Sequence, residues 1–282
     1  MGKHAKTLKL LDEALDVLAA HHPMTVRQVY YQLVSRQVIE NNRGQYQAVS
    51  ALLVGARRDG TIPWEWIEDR LRRPRLVQMW DGLGDFADTV RRAYRRDVWT
   101  DQPAYVEVWL EKDALSGIFE DLLRQYGVTL NVGRGFDGWD SIHNAAVRYT
   151  ARARDHEQPV TVLYFGDFDP SGEDMVRSLR DRLGELLPEE ATPTIRKCAL
   201  VFEDIRRYQL PPDFTKATDS RRAAFVDTWG DVSVELDALP IQVLQGRLEA
   251  EVRALLDLDA WKATLIQQDF EQQRLVELLQ DA

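Results

Sequence analysis

The sequence predicts an α+β protein with two domains: a helical domain over residues 1–100, and an α/β domain with a mostly parallel sheet and a helical tail over residues 101–282. Two observations support this prediction. Through the first third of the chain, apolar side chains recur at the three- and four-residue spacing of amphipathic helices. Beyond it, short apolar runs alternate with helical patterns, which is typical of parallel strands joined by crossover helices.

Three helices are predicted in the first domain. Leucines at helical spacing predict a first helix from Lys3 to Ala20. Thr25 and Gln28 form a capping-box pattern that begins a second helix. The third runs from about Gln45 to Arg58, with Ala48, Leu52, Leu53 and Ala56 facing inward and Gln47, Arg57 and Arg58 facing outward. With the segment Thr61–Trp64 after them, these helices look like a winged helix-turn-helix unit, although an ordinary three-helix unit has the same spacing.

An arginine-rich stretch over residues 67–100 is the best candidate for a linker between the domains. The strands that follow are predicted over Tyr105–Leu110, Val128–Val132, Val160–Phe165 and Thr194–Val201, with helices between them. The tail from Val243 to Leu279 has a helical pattern to which we assign only packing or self-association.

The charge is divided unevenly along the chain. The net charge of −10 on its own disfavours a nucleic-acid partner. Residues 1–100, however, hold 16 Lys and Arg against 12 Asp and Glu, whereas residues 101–282 hold 20 against 34. This asymmetry fits an N-terminal part that contacts phosphates and a C-terminal part that binds cations, and an acidic solvated surface fits equally well.

The sequence has no run of eighteen apolar residues, no secretory signal pattern and a single cysteine, Cys198. We therefore expect a cytoplasmic protein without structural disulfides and without membrane contact.

Acidic residues follow two of the predicted strands. Asp167 and Asp169 come directly after the strand that ends at Phe165, and Glu111 and Lys112 follow the strand that ends at Leu110. Ligands of α/β folds bind at such strand ends. Clustered carboxylates would repel one another unless a hard cation such as Mg²⁺ joins them. Taken alone, the first segment also fits a turn with a helix cap, and the second a salt-bridging loop.

The order of these elements narrows the interpretation. A strand with Glu-Lys, a strand followed by Gly133-Arg134-Gly135, and a strand with Asp-x-Asp-Pro-x-Gly together resemble the Toprim fold of topoisomerases, primases and certain nucleases. The resemblance covers roughly residues 103–210. It implies that Glu111, Asp167 and Asp169 bind one or two Mg²⁺ ions beside a DNA phosphate, with Glu111 also able to transfer protons.

The segment from Thr25 to Tyr31 resembles the Arg-x-x-Tyr/Phe-Tyr signature of the topoisomerase VI A subunit and the related meiotic double-strand-break protein. In that family a winged-helix module with a nucleophilic tyrosine precedes the Toprim domain, and the nucleophile falls on Tyr31. Helix geometry favours the same residue, because Tyr30 lies on the apolar stripe whereas Tyr31 shares the opposite face with Arg27. Arg27 would help to offset the high pKa of a free tyrosine, which is about 10.

The resemblance also implies partners. It implies double-stranded DNA as the substrate, a place at the nucleoid, a 5′ phosphotyrosine linkage, and a homodimer in which each site combines one protomer's tyrosine with its partner's metal site. DNA-binding candidates are Lys112, Arg57, Arg58 and Arg134. No Gly-rich ATP-binding pattern is present, so ATP-coupled strand passage would need a separate ATPase subunit.

Three functional hypotheses remain open at this point. The first is Mg²⁺-dependent cleavage of DNA by Tyr31, as in the topoisomerase VI A subunit. The second is a Toprim nuclease of the plasmid-restriction kind, in which water is the nucleophile and Tyr31 is structural. The third is a non-catalytic DNA-binding subunit of a larger complex, whose acidic site is structural.

Overall fold

A four-stranded parallel sheet forms the centre of the C-terminal part of the chain, with strand order β2-β1-β3-β4. The structure is a computed structural model that describes residues 3–68, 77–133, 138–212, 215 and 219–280. The strands are β1 (Tyr105–Leu110), β2 (Thr129–Val132), β3 (Val160–Phe165) and β4 (Thr194–Ala199). All three strand pairs are parallel, so the strands end at the same edge of the sheet.

Eleven α-helices accompany the sheet within the described residues. They are α1 (Lys3–His21), α2 (Val26–Ser35), α3 (Arg43–Arg58), α4 (Leu83–Ala93), α5 (Ser116–Tyr126), α6 (Trp139–His156), α7 (Pro170–Leu186), α8 (Phe202–Arg207), α9 (Arg222–Trp229), α10 (Ile241–Arg253) and α11 (Leu258–Gln280). Short 3-10 helices over Asp113–Leu115 and Leu236–Ala238 lie close to the strand ends. Within the described part of the chain, every helix is too short or too polar to span a lipid bilayer.

Two clusters of buried apolar side chains hold the fold together. The larger one surrounds the sheet and is built on Val106, Val108, Val162 and Leu163, which are completely buried. β1 and β3 lie in the middle of the sheet and are almost continuously apolar, as strands covered on both faces must be. The smaller cluster lies among α1, α2 and α3, and it also includes Ile241, the first residue of α10.

The three N-terminal helices are confirmed, with one correction. The inward face of α3 is formed by Val49, Leu53 and Ala56, whereas Ala48 is exposed and Leu52 only partly buried. The prediction for Ala48 was therefore wrong by one position. Between α3 and β1, the described residues form a 3-10 helix at Trp64–Trp66, an isolated bridge from Met24 to Ile67, and α4. They contain no β-hairpin, and the winged-helix arrangement stays a prediction.

The predicted linker contains a helix. α4 packs against α11, and Arg96 just after α4 forms an ion pair with Glu271 at 2.7 Å. The arginines Arg70, Arg72, Arg73 and Arg75 lie outside the described residues. The predicted helical tail is two helices, α10 and α11.

Candidate active site

The first half of the site is carried by α2. Thr25 caps this helix: its hydroxyl accepts the Gln28 N–H at 3.2 Å, and the Gln28 side chain accepts the Thr25 N–H at 2.6 Å. One turn separates Arg27 from Tyr31, and Arg27 Nη2 lies 3.5 Å from the Tyr31 hydroxyl. Arg27 and Tyr31 therefore share one face of α2.

The second half of the site lies at the end of the two central strands. Glu111 directly follows β1, and one of its carboxylate oxygens accepts the backbone N–H of Asp167, just after β3, at 2.9 Å. Gly166 makes this approach possible, because a Cβ atom there would lie 2.5 Å from Glu111 Oε2 and 2.6 Å from a ring carbon of Tyr164. The two strand ends are thus joined through a carboxylate.

The helix after β3 fixes the second aspartate. Asp169 is the N-cap of α7, and its side chain accepts the Gly172 N–H at 2.6 Å. From β4, Lys197 Nζ donates to the backbone carbonyl of Asp167 at 2.8 Å and to Glu173 at 2.6 Å. The peptide of Asp167 is therefore held on both sides, by Glu111 at its N–H and by Lys197 at its carbonyl.

Lys112 lies at the centre of the site. Its ammonium group donates to Glu235 at 2.8 Å and to Asp237 at 2.6 Å, and it lies 3.4 Å from Asp167 Oδ1. The same nitrogen lies 5.4 Å from the ring centre of Tyr31. Lys112 therefore links the tyrosine of α2 to the carboxylates at the strand ends.

Glu235 and Asp237 come from the segment before α10, which the sequence analysis did not assign to the site. The Tyr31 hydroxyl donates a short hydrogen bond to Glu235 Oε2. The Leu236 N–H between them donates to Asp167 Oδ1 at 2.7 Å. This segment therefore contacts both Tyr31 of α2 and Asp167 at the end of β3.

The two added carboxylates differ in their electrostatics. Burial alone would raise the pKa of Glu235, but the charge and hydrogen bond of Lys112, the Tyr31 hydrogen bond and the charge of Arg27 together exceed that effect and lower the pKa to about 2. Burial raises the pKa of Asp237 to about 6 against the opposing effect of Lys112. Its Oδ2 atom is buried without a hydrogen-bond partner, and Arg27 Nε lies 3.8 Å from that atom.

The pKa values of Tyr31 and Glu111 both lie above those of the free side chains. Burial raises the pKa of Tyr31 well above its usual range, and the charges of Asp237 and Glu235 add to this. Burial and the charge of Asp167 raise the pKa of Glu111 to about 7. Tyr31 is therefore neutral at pH 7, whereas Glu111 is poised to gain or lose a proton.

A cavity of about 310 Å³ opens onto this cluster. Tyr31 and Glu235 line one part of it, and Asp169 and Ser171 from the start of α7 line another. The cavity thus joins the α2 tyrosine to a carboxylate from the end of β3 within a single chain.

No family model, curated protein or solved structure matches this chain. The geometry of its own residues is therefore the basis on which its chemistry is argued.

The remaining DNA-binding candidates lie elsewhere. The guanidinium of Arg57 stacks on the ring of Trp64, with 4.3 Å to the ring centre, and Arg58 is exposed at the end of α3. Arg134 lies outside the described residues. The structure thus gathers Tyr31, Arg27, Glu111, Lys112, Asp167 and Asp169 into one region.

The three predicted magnesium ligands are engaged in other contacts. Among the described residues, no three His, Cys, Asp or Glu side chains are grouped to hold a metal ion. Glu111, Asp167 and Asp169 instead accept backbone N–H groups, and Asp167 also faces Lys112. Their oxygens are the hard donors that Mg²⁺ prefers, and the raised pKa of Glu111 marks a site that a cation would relieve. The donor set fits Mg²⁺, provided that these side chains turn from their present partners.

Proposed function

We propose that this chain cleaves DNA backbones in a Mg²⁺-dependent reaction with Tyr31 as the nucleophile. One observation supports this most directly: Tyr31 and Asp169, from separate parts of the fold, line the same cavity. A phosphate in that cavity would lie between a tyrosine hydroxyl and the strand-end carboxylates, with Lys112 next to both.

The residues divide the chemical roles among them. The Tyr31 oxygen attacks phosphorus and forms a phosphotyrosine, while the bond from phosphorus to the deoxyribose oxygen breaks. The tyrosine proton passes to Glu235, with which it is already hydrogen-bonded and whose pKa rises once Lys112 leaves this carboxylate for the phosphate. Glu111 in its protonated form is the acid that protonates the leaving oxygen. One phosphoester replaces another, so the break can be resealed.

Positive charge offsets the charge that builds up on the phosphate. Arg27, 3.5 Å from the Tyr31 hydroxyl, stabilises the developing negative charge, and Lys112 contacts a phosphate oxygen once it exchanges a carboxylate partner for the substrate. Asp167 and Asp169, joined by Glu111 once it has given up its proton, would hold Mg²⁺, which would supply further positive charge beside the phosphate.

The test is incubation of supercoiled plasmid and Mg²⁺ with wild type, Tyr31→Phe and Asp167→Asn, with products resolved before and after protease digestion. We expect protein-linked breaks that both substitutions abolish. Tyr126→Phe is the matched control, because Tyr126 also donates to a glutamate, Glu249, at 2.8 Å but lies outside the site. Protein-linked breaks that survive Tyr31→Phe would refute the tyrosine mechanism.

A hydrolytic nuclease is the second candidate, and the protonation states favour it in one respect. Tyr31 is held neutral by Glu235 and by its burial, whereas Glu111 has a pKa of about 7, suited to a base that activates water. The same experiment separates the two candidates: free DNA ends that persist in Tyr31→Phe and vanish in Asp167→Asn identify the nuclease. DNA binding without any cleavage identifies a DNA-binding subunit.

The partners of the proposed reaction are double-stranded DNA and a second copy of the chain. Simultaneous cleavage of two strands requires two tyrosines, which a homodimer provides. ATP-driven strand passage would require a separate ATPase subunit, and cleavage alone does not.

A further inference from the structure

A second cavity lies on the other side of Tyr31. It has a volume of about 310 Å³ and lies between α2 and the start of α3. The residues that line it are aromatic, cationic or amide-bearing: Arg27, Tyr30, Tyr31, Asn41, Asn42, Arg43 and Tyr46. Tyr31 and Asn41 line this cavity and also the one described above, so the two adjoin at the proposed nucleophile.

The aromatic side of the pocket is a fixed set of three rings. The centres of the Tyr30 and Tyr46 rings are 5.3 Å apart with the rings nearly perpendicular, and Tyr30 and Tyr31 make a similar edge contact at 5.1 Å. Tyr30 is buried, and its hydroxyl lies 3.0 Å from Asn41 Oδ1 and 3.1 Å from the carbonyl of Asn42. Tyr46 is 37% exposed. The exposed ring of Tyr46 therefore lines the pocket and packs against the buried ring of Tyr30.

Two arginines also line the pocket. Arg27 lies on the α2 side, and Arg43, which is exposed, is the first residue of α3. The first turn of α3 has no acidic residue, and Asn42 caps it by accepting the Gln45 N–H at 2.9 Å. The positive end of the helix dipole and the Arg43 guanidinium thus favour an anion at this mouth, whereas Arg27 is paired with Glu235 at 3.5 Å and Asp237 at 3.8 Å.

We infer that this pocket receives one unstacked nucleotide of a DNA strand, directly next to the phosphate that reaches Tyr31. Aromatic rings stack bases, guanidinium groups bind backbone phosphates, and amides such as that of Asn41 pair with base edges. The volume is at the lower end of the roughly 300–1,000 Å³ range of ligand cavities, which fits a single nucleotide. The identity of the strand as DNA rests on the proposed function.

The consequence is that cleavage takes place at a step where the duplex has opened. A nucleotide in the pocket has left the base stack, so strands that open easily, such as those of negatively supercoiled DNA or TA-rich steps, are preferred.

The binding test uses a fluorescently labelled five-nucleotide single strand, with fluorescence anisotropy measured at one fixed salt concentration and without Mg²⁺. We expect Tyr46→Phe, which keeps the ring, to bind within about twofold of wild type. Tyr46→Ala should weaken binding about fivefold to 150-fold, corresponding to the roughly 1–3 kcal/mol of one base–aromatic stack. Phe270→Ala is the matched control, since Phe270 is an exposed aromatic residue on α11 and does not line the pocket.

Circular dichroism verifies that each variant is folded. The pocket is refuted if Tyr46→Ala binds as well as Tyr46→Phe, if Phe270→Ala loses as much affinity as Tyr46→Ala, or if wild type does not bind the strand. Plasmid cleavage by the same preparations judges the proposed function separately. If the plasmid is cleaved but binding does not depend on Tyr46, only the pocket is refuted. If binding depends on Tyr46 but the plasmid is not cleaved, only the tyrosine chemistry is refuted.

Discussion

The hydroxyl of Tyr31 donates a hydrogen bond to Glu235, 204 residues further along the chain. The same carboxylate oxygen accepts from Lys112 at 2.8 Å. Glu235 therefore contacts both the hydroxyl proton of Tyr31 and the ammonium group of Lys112, so replacing Glu235 changes the environment of both groups.

Replacing Glu235 with glutamine should lower the pKa of Tyr31. Burial is the main reason that this pKa is high, but the negative charges of Asp237 and Glu235 add to it, and the substitution removes one of them. Phenolate absorbance during an alkaline titration reports the change, as the difference between Glu235→Gln and the double variant with Tyr31→Phe. Glu249→Gln, next to Tyr126, should leave the Tyr31 titration where it is. An unchanged Tyr31 pKa in Glu235→Gln would show that the hydrogen bond has no electrostatic effect.

Mixing two inactive variants should reveal which chain supplies which half of the site. Tyr31 and Asp169 line one cavity within a single chain. In a mixed dimer of Tyr31→Phe and Asp167→Asn, one site therefore lacks the tyrosine hydroxyl and the other lacks the Asp167 carboxylate. We expect no cleavage after the two proteins are denatured together and refolded. Recovery of single-strand breaks would mean instead that the tyrosine of one protomer works with the carboxylates of its partner.

Gly166→Ala should destabilise the protein and disturb Glu111. The added methyl group would lie 2.5 Å from Glu111 Oε2 and 2.6 Å from the Tyr164 ring, and Tyr164 is buried. Overpacking of this kind costs roughly 1–3 kcal/mol of the free energy of unfolding, measured by urea denaturation. Gly246→Ala is the control, because nothing lies within 4 Å of its Cβ position in the middle of α10, and alanine there should stabilise by about 0.5–1 kcal/mol.

Local signals in the sequence were enough to place most of the elements. β1 and β3 have the predicted bounds because they are short apolar runs buried by the fold, and the capping box at Thr25 begins α2 as predicted. Arg27 and Tyr31 share a face because helix geometry alone places residues four apart together. α4 was missed because its neighbourhood is polar and arginine-rich, and its packing partner α11 lies far away in the sequence.

Only part of the candidate site could be predicted from the sequence. Glu111, Asp167 and Asp169 stand out because they follow apolar strands, whereas Glu235 and Asp237 follow no complete strand and gain their role from contacts with Lys112 and Tyr31. The available signal was a second pair of carboxylates separated by one residue, with Asp237 set among apolar neighbours. That these two carboxylates belong to the site follows from packing between residues far apart in the sequence, which the spacing of residues along the chain does not indicate.

Arg148→Ala should destabilise the sheet. Glu107 in β1 is completely buried, and Arg148 donates to both of its oxygens at 2.6 and 2.9 Å. Loss of the arginine would leave a buried carboxylate without its cation. The Arg148 side chain is 35% exposed, so we expect a loss of about 3 kcal/mol, the lower end of the range for breaking a buried pair. Urea denaturation measures it, and Arg177→Ala, which removes two surface ion pairs with Asp174 and Asp181, should change little by comparison.

The thiol of Cys198 should be unreactive in the native protein. Burial, with the nearby charge of Glu251, raises its pKa from 9.0 to about 12, so the native state keeps the proton at pH values where the unfolded chain loses it. The stability that this thiol contributes is therefore complete below about pH 9 and declines from there towards pH 12. A disulfide-exchange reagent at pH 8 should react slowly without urea and fast in urea. Relative to wild type, Cys198→Ala should lose less stability between pH 9 and pH 10.5, and an equal loss would contradict the assignment.

The start of α10 belongs to both apolar cores. Ile241 packs among α1 to α3, whereas Leu244 and Leu248 of the same helix pack against the sheet, and just before it the carbonyl of Ala238 accepts a hydrogen bond from Ser35 at 2.8 Å. Melting of the sheet therefore also withdraws a side chain from the helical core. We therefore expect Tyr31 and the carboxylates to lose their positions in one cooperative transition. For the proposed DNA cleavage, this coupling means that a loosened tyrosine does not keep access to an intact acidic site.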